Sequence, residues 1–444
     1  MIRDFVEAWP LFSGNARRFL LSATLAGFTY SGVYFLLANL FLARLGYDAA
    51  FIGLFIATGA ASFAVSSLPA GIMGRRLGPR RSMIGGYLLL MTGLTLLSMA
   101  AVVPLAWRSA WLLSCCALRE FGNSFYIVNA NPFLMETTGE EERRFVFAAR
   151  GAVVPLAGFF GALAGGVLPI WTATILETNE TDPVTFLVPL LFGGCLLLPG
   201  WIALLRTQEE VDVQQGAAPN NATTLNNGTT LENTSAPTAS VAATAEAERS
   251  TPPGDPTVFP LGPVFTMMGV GLLYIAAMSA SMSFFNLYMD QELGVSTSRI
   301  GSVLAIGQLL APPAGLMLAP LSARLGYDRT FALSAVGVVL GALLLGLSGN
   351  WLMASVGAVT ITALSAIAFP AITVYQQELV HPDWRPVMSG AYMMSVALSW
   401  SALASGGGYF ITEVGYQPLF LLGAALTAAG VVLFSVYARL VRQA

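Results

Sequence analysis

The chain contains no lysine; all 21 of its cationic residues are arginine. It can therefore hold neither a phosphate-binding loop of the Gly-x-x-x-x-Gly-Lys type nor a lysine Schiff base, and by itself it is not expected to burn ATP. Its one histidine, His381, stands in a turn and cannot alone form an HExxH zinc site. The three cysteines, Cys115, Cys116 and Cys195, make no disulfide framework and no CxxC pair, and are read as small apolar packing residues. Charge of either sign is scarce, at 10% of 444 residues against about 25% in a soluble domain. Neither a nucleophile with its base nor a metal cluster or cofactor motif stands out in the apolar segments. No enzyme activity, cofactor or nucleic-acid partner is expected.

What the chain has in abundance is apolar sequence, 55% of its residues. Runs long enough to cross a hydrocarbon core of ~30 Å as helices lie at approximately 19–42, 50–73, 82–103, 111–135, 145–168 and 185–205. Six more follow at approximately 262–289, 299–322, 330–348, 352–377, 387–411 and 418–438. The first run is too long for a signal-peptide core and lacks a small-residue cleavage pattern, so it is read as the first span. The fold class expected is an all-α membrane protein with twelve transmembrane helices in two pseudo-symmetric six-helix bundles. Residues 1–205 and 261–444 form the bundles, joined by a linker over 206–260.

A repeat supports that division. Leu45, Gly46, Ile52, Gly53, Ala57 and Gly59 recur 248 positions later as Leu293, Gly294, Ile300, Gly301, Ala305 and Gly307. The same offset carries Arg76, Leu77, Gly78 and Arg81 onto Arg324, Leu325, Gly326 and Arg329. Parallel repeats related by an axis along the membrane normal are a recurring transporter architecture.

Arginines 3, 17, 18, 75, 76, 80, 81, 143, 144, 206, 324, 329, 385, 439 and 442 fall on one side if the spans alternate, while the opposite turns hold Arg44, Arg108 and Arg299. The positive-inside rule puts both termini and the linker in the cytoplasm. From Thr207 to about Pro260 the composition turns to Ala, Thr, Asn, Pro and Glu, too polar to bury a core, and a disordered tether is expected. Its glycosylation-like triplets at Asn221, Asn227 and Asn233 are then accidental, and only Asn179 would face outward. Abundant Ala, Gly and Arg without lysine suggest a GC-rich bacterial genome, hence an inner-membrane location.

Between the second and third spans the chain reads Gly71-Ile-Met-Gly-Arg75-Arg76-Leu-Gly78-Pro79-Arg80-Arg81. This resembles the Gly-x-x-x-Asp-Arg-x-Gly-Arg-Arg turn of the major facilitator superfamily, with Arg75 in the acidic place. Residues Ala319 to Arg329 are a weaker copy, and Glu136 to Arg144 is similar to the family's acidic-then-Arg loop, repeated in spacing at Glu378 to Arg385. Arg119-Glu-Phe-Gly122 resembles the Arg-x-x-x-Gly motif of proton-coupled exporters with its glycine one place early. Gly161-Ala162-Leu-Ala-Gly165-Gly166 resembles the Gly-Pro-x-x-Gly-Gly motif of antiporters with alanine for proline. The resemblance implies gating by ion pairs at the cytoplasmic side and assigns that role to Gly71, Arg76, Gly78, Arg81, Glu136, Arg143, Arg324 and Gly326. Glu136 or the run Glu140, Glu141 and Glu142 could replace the missing acid; alternatively, the arginines only set topology.

Charges within the hydrocarbon zone cost roughly 2.5–3.5 kcal/mol each on insertion scales and need a reason to be there. Arg119 and Glu120 lie in the fourth span, and at helical spacing Arg119, Asn123 and Tyr126 share a face. In the family, spans one, four, seven and ten line the central cavity, which makes Tyr30, Tyr34, Arg119, Asn123, Tyr126, Ser283 and Asn286 substrate-cavity candidates; span eight adds Gln308. Glu120 is the candidate proton carrier, because burial and the neighbouring guanidinium act on its proton in opposite senses. A fixed ion pair that only packs the bundle is the other reading. Antiparallel register places Arg150 level with Asn129 and Asn131, away from Glu120.

The function expected is secondary active transport by alternating access, with proton-coupled export of a small amphipathic compound by a monomer in the lipid bilayer. Two readings stay open beside it: proton-coupled uptake of an organic anion held by Arg119, and a non-transporting receptor or scaffold, which the loss of the acid at Arg75 would suit.

Overall fold

The structure, a computed structural model, describes residues 12–208, 260–381 and 384–443. The linker expected over 206–260, with its triplets at Asn221, Asn227 and Asn233, lies almost wholly outside the described residues, as do Arg3 and the side chains of Glu140, Glu141 and Arg144.

Twelve helical spans follow in order: α1 (Gly14–Arg44), α2 (Ala49–Leu77), α3 (Pro79–Val102), α4 (Leu105–Thr137), α5 (Glu140–Leu176) and α6 (Pro183–Leu205). Then come α7 (Leu261–Glu292), α8 (Thr297–Leu316 and, across a 41° bend, Leu318–Leu325), α9 (Tyr327–Leu347), α10 (Trp351–Glu378), α11 (Arg385–Val414) and α12 (Tyr416–Gln443). Ten of these are long and apolar enough to cross a membrane, eleven with the bent pair. The remaining one is α4: it has 33 residues, and its polar stripe lowers its hydropathy. The 41° bend in α8 falls one turn before Pro320, whose ring clashes with the carbonyl of Leu316 and leaves that carbonyl without its helical donor.

Local signals fix the helix ends. Ser13, Asp48, Asp182 and Asn350 accept hydrogen bonds from the first free amides of α1, α2, α6 and α10. The echo of 248 residues has a backbone cause: Gly46, Gly78, Gly294 and Gly326 all have φ between +61° and +89°, in the left-handed region. Each of these glycines ends one span and lets the next begin within a few residues.

We call the end where α1 and α7 begin the near end, and its opposite the far end. A buried core runs through the first bundle and continues into the second through Leu36, Leu40, Phe284, Leu287 and Ile300. A separate core of Val264, Met267, Phe331, Tyr392 and Phe434 fills the near part of the second bundle. The bundles meet closely where α2 crosses α11: a Cβ at Gly53 would collide with the carbonyl of Ala404, and one at Gly408 with that of Ala49. Val65, Trp171, Phe265, Leu340 and Val432 are exposed on the outer faces, an apolar surface that suits lipid.

Candidate functional site

The fourth span carries its two charges where almost no water reaches them: Arg119 is 5% exposed and Glu120 7%. Their side chains pair with each other at 2.5 Å. The Tyr30 hydroxyl donates to Glu120 Oε1 at 2.6 Å, and Asn123 Nδ2 to Oε2 at 3.0 Å. The carboxylate thus accepts two hydrogen bonds and pairs with a guanidinium, which offsets the cost of holding it in a low dielectric. The Arg119 guanidinium lies 4.1 Å from the ring centroid of Tyr34 and 5.2 Å from that of Tyr30, two rings stacked at 5.9 Å.

Backbone geometry makes this convergence possible. Between Gly27 and Tyr34 the turns of α1 widen to π-helical hydrogen bonding, and this segment presents both tyrosines. Gly93 of α3 lies so close to the backbone of Arg119 that a Cβ there would meet it at 2.7 Å, and Gly59 of α2 packs on the Cys116 and Glu120 side chains. The cluster leaves two buried polar atoms, Arg119 Nε and the Tyr34 hydroxyl, without a partner among the described residues. An unpaired polar atom in a low dielectric is costly, and these two are where the network is incomplete.

Tyr30, Asn123 and Tyr126 also line a cavity of about 450 Å³, together with Phe147, Arg150 and residues of α1, α3 and α5. Tyr126 sits 3.3 Å from the Ser22 hydroxyl and packs edge-on against Tyr87. Arg150 donates to Asn131 Oδ1 at 2.5 Å, as the antiparallel register of α4 and α5 predicts. Of the candidate residues, then, Tyr30, Tyr34, Arg119, Glu120 and Asn123 form one cluster, with Tyr126 beside it on the same cavity.

The other three lie elsewhere. Asn286 donates to the carbonyls of Phe35 and Leu36 in α1, at 2.9 and 3.3 Å, and Asn39 of α1 donates to the carbonyl of Ser283 at 2.8 Å. Both asparagines stitch one bundle to the other, and the Ser283 hydroxyl is buried without a partner among the described residues. Gln308 lines a separate small crevice with Phe35, Met282 and Thr362. Sequence reasoning missed the closest tie between the bundles, a two-pronged ion pair from Arg44 to Asp290 at 2.8 and 2.6 Å. A signal was available: the two residues are 246 positions apart, nearly the repeat length, and so lie at matching heights.

Of the gating candidates, Gly71 and Gly78 are half-buried at the near end of α2, while Arg76, Arg81 and Arg324 are exposed. Arg143 donates to the carbonyls of Met135 and Thr138, closing the turn between α4 and α5, and Glu142 accepts from the backbone amide of Ser13. Gly326 forms the tight turn after α8, and the Glu136 side chain is exposed at the end of α4.

A duplicated bundle of twelve helices with a polar cluster near the middle of one of its spans is an architecture of secondary transporters. The chain belongs to the Major Facilitator Superfamily, whose family model matches residues 19–265 and 266–443. Among solved structures it is similar to a POT family transporter in complex with a thioalcohol-conjugated peptide (TM-score 0.68, 15% identity, 96% of each chain covered). It is also similar to the D323A mutant of the nucleoside transporter NupG (TM-score 0.67, 14% identity, 95% of this chain and 99% of that one). A third is a bacterial homolog of the human lysosomal transporter Spinster, in an inward-facing and occupied conformation (TM-score 0.65, 13% identity, 96% of each chain). At these identities the likeness is one of fold. A search of curated protein sequences finds no match.

Proposed function

We propose that the protein is a proton-coupled secondary transporter of a small amphipathic compound, working by alternating access, with Glu120 as the proton carrier. The observation that carries this reading is the placement of Glu120: a buried carboxylate whose neutral donors, Tyr30 and Asn123, both line a cavity of small-molecule size. A proton reaching Glu120 redirects one donor and frees Arg119, so cavity contents and protonation act on each other. One proton crossing 100 mV yields about 2.3 kcal/mol, enough for a gradient of roughly 50-fold.

Alternating access is supported by the ties at the far end, where Arg44–Asp290 and the two asparagine bonds bridge α1 and α7. With the arginine-rich near end in the cytoplasm of a bacterial cell, this is the conformation closed to the outside, and the near-end turns at Gly78 and Gly326 belong to the opposite gate. The protein works as a monomer in this scheme. The motifs of the fourth and fifth spans favour export against inward proton flow. A second reading, movement of an organic anion together with the proton, is favoured by the cationic Arg150 on the cavity wall.

The test is substrate flux in proteoliposomes under an imposed pH gradient of each sign, with Glu120→Gln alongside the parent. Accumulation that follows the gradient in the parent and is lost in Glu120→Gln, with exchange retained, supports the reading. Accumulation independent of pH in both would sink it.

A further inference from the structure

The cavity beside Glu120 has a charge of its own. Among the residues lining it Arg150 is the one that is charged, since Arg119 and Glu120 lie behind Tyr30 and Asn123 and neutralise each other. Arg150 makes one hydrogen bond, to the neutral Asn131, and its guanidinium lies 5.6 Å from the Phe19 ring centroid. No carboxylate among the described residues pairs with it, and it is half-buried on the cavity wall. The uptake reading from sequence gave anion binding to Arg119, but that guanidinium is held by Glu120 and covered by two tyrosine rings.

We infer that the cargo is an amphipathic organic anion whose charged group sits on Arg150 and whose apolar body lies against Tyr30, Tyr126 and Phe147, and that it travels with the proton of Glu120. With Glu120 ionised, the cavity and the cluster behind it sum to one positive charge, which a monoanion neutralises. When Glu120 takes a proton, Arg119 loses its counter-charge and the anion gains a second cation to interact with. Anion and proton therefore each favour the other's binding, whereas a cationic cargo would compete with the proton. The other titratable groups around the Arg119–Glu120 pair are the phenols of Tyr30 and Tyr34 and the thiol of Cys116, whose ordinary ionisation lies far above that of a carboxyl. The joint movement rests on Glu120 being the proton carrier and on the second of the two readings above, in which cargo and proton move in the same direction and not in exchange; the anion site at Arg150 stands without either.

The experiment uses the purified full chain and three probes of one shape: butylbenzoate, butylbenzamide and butylbenzylammonium, with affinities read from ligand-dependent thermal unfolding. Butylbenzoate is expected to bind at least about tenfold more tightly than either of the others, the scale of one charge-assisted hydrogen bond. Arg150→Gln should erase that preference and Arg150→Lys keep part of it. In weakly buffered solution, butylbenzoate should draw protons from the medium with the parent protein and not with Glu120→Gln. If the carboxylate has no preference over the amide and the ammonium, the anionic cargo is overturned, whatever the proton does. A preference that survives Arg150→Gln overturns the assignment to Arg150. A preference without proton uptake overturns the joint movement and counts against Glu120 as carrier, while leaving the anion site in place. Should Arg150→Gln fail to fold, the parent's preference and the Lys variant decide.

Discussion

The fourth and tenth spans hold corresponding places in two copies of one six-helix design, and their interiors are opposites. α4 buries Arg119, Glu120 and Asn123; at the repeat offset, α10 buries Ile367, Ala368 and Ala371, and it carries no charged residue before Glu378. Duplication preserved the turns and the helix crossings, which any rocking bundle needs, and left the costly buried charges in one half only. The first bundle holds the buried ion pair. The second supplies the far-end partners Asp290 and Asn286, so the two halves are alike in shape and unlike in their polar residues.

That contrast can be broken at several strengths. The largest effect is expected from Glu120→Gln, which leaves Arg119 buried without a counter-charge and should cost about 3–5 kcal/mol of stability. Ile367→Val, at the place in α10 that matches Arg119, should cost about 0.5–1.5 kcal/mol, and thermal unfolding of the two variants side by side measures the difference. Equal losses would show that the Arg119–Glu120 pair is no more demanding than ordinary packing. Next comes Arg44→Gln, which removes a two-pronged charged pair worth about 1.5–3 kcal/mol and should raise maleimide labelling of a cysteine placed at the far end. The exchange Arg44→Asp with Asp290→Arg should bring labelling back down; if it does not, the pair does not hold the bundles together. Asn286→Leu is expected to cost about 1 kcal/mol, the worth of a neutral hydrogen bond, and unfolding in denaturant reads it. The smallest effect belongs to Asp328→Asn. Its partner Arg442 is about half exposed, so the change should fall below about 1 kcal/mol in the same assay.

Much of this architecture was legible because the bilayer forces each span to be a long apolar helix, and apolar runs are easy to count. Helix ends were less so: the run read at 145–168 is helical over Glu140–Leu176, since polar turns outside the hydrocarbon continue a helix without adding to the apolar run. The Arg119, Asn123 and Tyr126 face was readable from helical spacing within one segment. Its contact with Tyr30 was not, because that contact depends on how a locally widened α1 packs on α4, and one sequence does not print the rotation of one helix against another. The same limit explains Asn286: a polar residue on a span-seven stripe looks like a cavity residue until α1 is seen to offer it two carbonyls.

The glycine turns have a mechanical consequence. Gly78 is the single residue between α2 and α3, and Gly326 the single residue between α8 and α9. Joints this short contain no slack, so neither member of a pair can slide along its axis without dragging the other. The near ends of α2 and α3 are thus tied to move as one, and so are the last turns of α8, beyond its bend, and the start of α9.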